Sequence, residues 1–414
     1  MDTVCFGAAE LRERRRRFTR AMEERFPGWG TAFFIDAVNQ YYFTGTMQDG
    51  ILLVINDAAC PGGSRLLYGV RRSFARAELE SPLFTAENAA LHETLIPITS
   101  YRDLVEKTGD PGRVYIEGDT MPVSVLERLK KYFPVPFAAP AFLDAVIRTV
   151  RSVKSPGEIE LIKQSGAAHR VLLEERAPAL LYEGISEAVF MGRLSAEMYR
   201  MGYQGLARFH QTQTDIAIGQ IGFGTNALYP ARFDGPGGSK GAGPFSPHGA
   251  DHERLLKKGD AVFVDLSFGI GGYHTDKTQV YFFGAEPPLE FKKAHQFCVD
   301  AANRLAERLR PGEIPAVIYR DMMASLSGAE AENFMGVDNR HRVKFLGHGT
   351  GLNIDEFPVI AEGFGAPLEE NMTIALEPKK GVAGVGLAGV EDTYIVTPGG
   401  GLCVTGGARD IIRV

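Results

Sequence analysis

Apolar residues in the first third of the chain fall into short runs, Thr31 to Ile35, Ile51 to Ile55, Arg65 to Tyr68 and Arg113 to Ile116. These runs alternate with amphipathic stretches such as Pro122 to Phe133, a pattern that predicts an α/β domain over residues 1–147. Ser155-Pro-Gly-Glu158 then reads as a capping box with proline in the first helical position. It opens a long helix whose apolar positions are Ile159, Ile162, Ala167 and Val171. Further helices are predicted from about Ser186 to Met201 and from Pro288 to Leu309. Two strand pairs lie among and after them. Ala261–Phe268 and Tyr273–Phe282 flank Gly269-Ile-Gly-Gly272, and Met372–Pro378 and Val390–Val396 flank the glycine-rich Gly381–Gly389. No repeat of solenoid period occurs. The second domain is therefore expected over residues 148–414, with helices packed outside a sheet.

Acidic residues interrupt those apolar strands. A hairpin centred on Ile270 and Gly271 sets Asp265 opposite Asp276, and a ladder symmetric about Gly384 sets Glu377 opposite Glu391. Cross-strand partners share a face, and like charges placed there weaken the ladder. Any one of these acids alone would pass for a surface residue. Two facing pairs instead predict a site whose charge is offset by cations. His348, in Gly347-His-Gly-Thr-Gly351, supplies the one nitrogen donor. Mostly oxygen donors with one imidazole suit manganese, cobalt or iron better than a structural zinc site.

Composition narrows the class. A net charge of -6 over 414 residues argues against nucleic acid as an obligate partner. Cys5, Cys60, Cys298 and Cys403 form no CxxC and no disulfide framework, and no apolar run has membrane-spanning length. A cytoplasmic enzyme is the expectation. The run Arg12 to Arg17 reads as a solvated helix face, and Gly237–Gly241 lacks the order of a phosphate loop.

The five ligand candidates resemble the pita-bread metallopeptidase superfamily of prolidase, aminopeptidase P, methionine aminopeptidase and creatinase. The match runs through Asp265, Asp276, Gly347-His-Gly, Glu377-Pro378 and Glu391-Asp392. Tyr42-Phe-Thr-Gly-Thr46 and Arg151–Glu160 are similar to segments of the creatinase-type N-terminal domain and of the start of the catalytic domain. The resemblance implies an α/β (α+β) chain: a creatinase-like domain, then a catalytic domain with a curved, mainly antiparallel sheet. It also implies a homodimer and two divalent cations, manganese by preference, with cobalt, iron or zinc as other candidates. Asp265 would bind one cation, Asp276 and Glu391 would bridge, and His348 and Glu377 would complete the ligand set of the other cation. Activated water would attack an amide carbonyl, with Glu377 carrying its proton to the leaving nitrogen.

The surrounding residues depart from that pattern. Asp355 stands where the second histidine is expected, and no histidine follows Asn226-Ala227. A glycine-rich insertion, Phe233–Pro244, precedes His248 and His252, and Asp276-Lys-Thr ends in Gln279 rather than arginine. Asp355 is accordingly a candidate to hold a cationic substrate group and His248 a candidate substrate contact, while His210 reads as structural first and as a pocket residue near Asn226 second. Three readings stay open: an Xaa-Pro dipeptidase or aminopeptidase, a creatinase-like enzyme on a non-peptide small molecule, and a non-catalytic binding protein. Creatinase lacks the metals and the binding proteins tend to lose the ligands, so retention of all five ranks the first reading ahead.

Overall fold

The computed structural model describes residues 6–414 apart from 86–91, 135, 138, 206, 212, 213, 215 and 408; Cys5 therefore lies outside the described residues. The chain forms two compact units, Met1–Arg151 and Ser152–Val414. The division expected after residue 147 falls inside the helix Asp144–Ser152, which carries the first unit four residues further.

In the first unit a six-stranded mixed sheet runs in the order Glu93–Pro97, Ser64–Val70, Gly50–Asn56, Thr31–Phe34, Val114–Ile116, Ala141–Phe142. All four strands read from the apolar runs are present, and the helix expected from Pro122 is Val123–Tyr132. The helix Ala8–Arg25 corrects the reading of the arginine run as a solvated face. It buries Arg14 and Arg15 alongside Leu11, Phe18 and Met22. Arg12 and Arg15 both reach the buried Glu93 carboxylate, at 2.8 and 3.1 Å, and the Arg14 guanidinium lies over the Phe6 ring. These cations close a domain core.

The second unit contains a four-stranded sheet and a five-stranded antiparallel sheet, joined through a bridge between Thr278 and Glu391. A separate pair, Lys379–Val382 with Gly386–Gly389, continues from them. Among the described residues, the only two strands of this unit that pair in parallel are Ile412–Arg413 and Tyr281–Phe282. Ser155 and Glu158 form the expected capping box at the start of the helix Pro156–Val171. Its buried face is not the one expected: Ala167 is exposed, and Ser165, Gly166 and His169 face inward with Ile159 and Ile162. The stripe is small and polar because the helix fastens the first hairpin. Ser165 Oγ accepts the Ile270 amide at 3.0 Å and donates to Tyr273 O at 2.8 Å, and Tyr273 Oη donates to Glu158 at 2.7 Å. A side chain at Gly166 would meet Val404 O at 2.4 Å. The helices Glu187–Arg200 and Leu289–Glu307 match the two other expected segments.

Candidate metal centre

The first hairpin turns one residue later than the sequence spacing suggests, which moves each cross-strand partner by two. Ile270 pairs with Tyr273 around Gly271 and Gly272, both in the left-handed region at φ 59° and 83°. A two-residue turn of that kind matches the twist of an antiparallel pair. Asp265 therefore faces Thr278, and Asp276 faces Ser267. The slip is an even number of residues, so both acids stay on one face as diagonal neighbours.

The second ladder keeps the expected symmetry about Gly384. Leu376 pairs with Asp392 on one side and Lys379 with Gly389 on the other. Glu377 and Glu391 lie opposite one another in the gap between these ladders, beside Pro378, which has no amide to donate. Thr278 Oγ1 donates to Glu391 Oε2 at 3.1 Å, and the Asp276 amide donates to Thr393 Oγ1 at 2.8 Å. His348 enters from the strand Phe345–Gly349, with Nε2 3.4 Å from Glu377 Oε1 and 3.9 Å from Glu391 Oε1. Three strands and two strand ends thus converge on a single buried site.

One further residue occupies it. Lys379 Nζ donates to Asp265 Oδ2 at 2.9 Å, Glu377 Oε2 at 3.0 Å and Glu391 Oε2 at 2.7 Å. Sequence reasoning passed over this lysine, although alternation along an extended chain places residues 377 and 379 on the same side. Burial opposes its charge, but Asp265, Glu391 and Glu377 outweigh that and hold the ammonium well above the ordinary lysine value. Burial, and then the Asp265 charge, push Asp276 up to about 8. Burial and Asp276 hold Glu391 well above the carboxylate range. Burial pulls His348 down, yet Glu377 and Asp276 leave it raised overall. Such strain between buried like charges is what a divalent cation relieves.

The residues fit one such cation. Asp276, His348 and Glu391 offer ligand atoms that all lie within 4.8 Å of one another. Glu391 Oε1 is buried and, among the described residues, has no hydrogen-bond partner, a costly state unless something positive meets it. The expected second cation does not fit in the same way. The ammonium already engages Asp265, Glu377 and Glu391, the oxygens that would have to receive that ion.

A cavity of about 380 Å³ opens onto this group, with Asp265, Asp276, His348, Glu377 and Glu391 in its wall. Phe209, Phe233, Phe345 and Phe357 supply apolar surface to the same cavity. The insertion contributes Phe233, Asp234 and Gly235 to the lining, so its first residues are a wall of the site. Asp355 lines the cavity too, but its oxygens accept the His210 and Gln211 amides. Burial raises its pKa despite those bonds, and the observed contacts make it an anchor for the loop that carries Phe209 and His210. His248 is absent from the lining; its ring packs edge-on against Phe233 at 5.6 Å. The structure thus sets His248 behind Phe233, and His252 is likewise outside the lining. Gln220 was not anticipated. Opposite Asp265 in register, it lines the cavity with both side-chain polar atoms buried and unpartnered among the described residues.

Comparison with known proteins gives the same outline. Residues 160–398 match the model of metallopeptidase family M24, and residues 14–153 match that of the creatinase/prolidase N-terminal domain. The Xaa-Pro dipeptidase of Pyrococcus furiosus is 25% identical over 403 residues, which are 97% of this chain and 100% of that protein. The prolidase from Pyrococcus horikoshii OT3 superposes with a TM-score of 0.74 at 20% identity, covering 97% of this chain and 100% of that one. Dipeptidase PepE from Mycobacterium ulcerans gives 0.75 at 21% identity over 99% of each chain. At those identities the solved structures show a shared fold.

Proposed function

The chain belongs to metallopeptidase family M24, and from this we propose that it is a metal-dependent hydrolase of small peptides, Xaa-Pro dipeptides first among them. The observation that carries the reading is the clustering of Asp276, His348 and Glu391 around a carboxylate oxygen unpartnered among the described residues, on the wall of a largely apolar cavity. A divalent cation held by these three residues, manganese being the preferred candidate, would polarise the scissile carbonyl and acidify a water molecule. Glu377, 3.4 Å from His348, would carry the proton to the leaving nitrogen. The four phenylalanines exclude bulk water and offer surface to apolar side chains. Asp355, which accepts the His210 and Gln211 amides, would position the loop that carries Phe209 rather than move a proton.

The test is hydrolysis of an Xaa-Pro dipeptide panel by protein loaded with manganese or cobalt, with Asp276→Asn as the control. Turnover by the wild type alone is expected. Silence across the panel with metal bound would overturn the peptide reading in favour of a small non-peptide amide.

Gln220 is the group proposed to hold the substrate's polar end, because binding would satisfy an amide that is otherwise buried without a partner. Removing one such hydrogen bond costs roughly 0.5–1.5 kcal/mol. Gln220→Leu should therefore raise KM by about threefold to tenfold and leave kcat nearly unchanged. Initial-rate kinetics decide this, and an unaltered KM would remove Gln220 from the binding site.

A further inference from the structure

We infer that the Lys379 ammonium is a built-in cation standing in place of one metal of the pair, so that each chain takes a single divalent ion. The inference rests on the metal-centre reading above and deepens it. An ammonium has three protons and no acceptor, and here each proton goes to a different carboxylate, on Asp265, Glu377 and Glu391, at 2.7–3.0 Å. No N–H is left for substrate. Lys379 is thus a positioning residue, acting through the carboxylates it holds.

Its place is set by the backbone. Lys379 opens a strand paired with Gly386–Gly389, and it faces Gly389, which has a φ of 143°. A Cβ at Gly389 would lie 2.7 Å from Lys379 Cα and 3.0 Å from its Cγ. A bare glycine there lets the lysine stem pass down to the acids, and its side chain is 1% exposed. A solvated lysine that had merely folded inward would not need that clearance.

Charge supports the same count. Asp265, Asp276, Glu377 and Glu391 carry four negative charges, of which the ammonium offsets one. A single divalent ion beside Asp276, His348 and Glu391 lowers the remaining three to one. A second divalent ion would make the cluster positive overall and would compete with the ammonium for the same oxygens. Asp265 is then kept as the partner of Lys379 rather than as a metal ligand. Unlike an exchangeable ion, this cation cannot be removed by a chelator, so Glu377 and Glu391 stay aimed when the metal is gone.

The experiment is a metal count on the full chain. Chelator-treated wild type and Lys379→Ala are dialysed to equilibrium against manganese, bound metal is measured by elemental analysis, and paired ions are sought by the spin-coupled Mn(II) resonance. The expected result is one ion per wild-type chain with no coupled signal, and two ions with a coupled signal in Lys379→Ala. Two ions in the wild type would overturn the inference while leaving the peptidase reading intact, as would one ion in both proteins. No ion in either would overturn both. If Lys379→Ala fails to fold, the wild-type count and resonance still decide.

Discussion

His348→Ala is expected to lower kcat/KM on an Xaa-Pro dipeptide by about 10³-fold and to abolish stoichiometric metal binding, with little change in thermal stability. His348 is the one nitrogen donor in the cluster, and its tautomer is fixed by its surroundings. Nδ1 lies 3.0 Å from Gly349 O, which can only accept, so Nδ1 carries the proton and Nε2 presents its lone pair to the site. That nitrogen sits beside both Glu377 and Glu391. A Lewis acid carries several kcal/mol of such a barrier, and each 1.4 kcal/mol or so is a factor of ten. Stability should hardly move, because Lys379 still pairs with Glu377 and Glu391 once the imidazole is gone. Steady-state kinetics, a metal count and a melting curve on one preparation make the check. A loss under tenfold with metal still bound would remove His348 from the centre.

The acids of this site were legible because their cost was legible. Four carboxylates in apolar strands demand compensation, and the glycines between the strands restrict how the chain can return. The ladder about Gly384 could be read to the residue, since the strands on both sides of the gap share one register. The first hairpin was read two residues off because Gly269, Gly271 and Gly272 offer more than one turn. Only the pairing Ile270 with Tyr273 puts both positive-φ residues in the loop. An even slip spares the face, which is why the site survived the error.

What was not legible depends on partners far away in sequence. Arg14 and Arg15 look like solvent-facing charges until Glu93 and the Phe6 ring are brought to them. Ser165 and Gly166 look like weak helix positions until the hairpin and Val404 pack on them. His248 sits in the segment where a substrate histidine was sought, yet Phe233 lies against it. Lys379 is the instructive omission. Its spacing from Glu377 was on the page, but a search for compensating charge that looks only for ions overlooks a cation supplied by the chain.

Asp392→Ala should destabilise the fold by about 3–5 kcal/mol, the usual consequence of removing one partner of a buried ion pair. Asp392 is 2% exposed and accepts Lys277 Nζ at 2.9 Å, Thr405 Oγ1 at 2.9 Å and Arg409 Nε at 3.0 Å. Lys277 is itself 1% exposed, so the variant strands an ammonium in the interior. Each of the two residues follows a metal-site acid in sequence, Asp276 or Glu391, and strand alternation turns the pair to the opposite face. The ion pair thus ties the two ligand-bearing strands together from behind. Replacing both partners with apolar residues removes the stranded charge, so Lys277→Met with Asp392→Leu should recover most of the loss. Urea unfolding followed by far-ultraviolet circular dichroism measures both variants, provided the slope is unchanged. A single variant within 1 kcal/mol or so of wild type would show that water or a moving strand reaches Lys277. The pair would then not be what holds Asp276 and Glu391 in register.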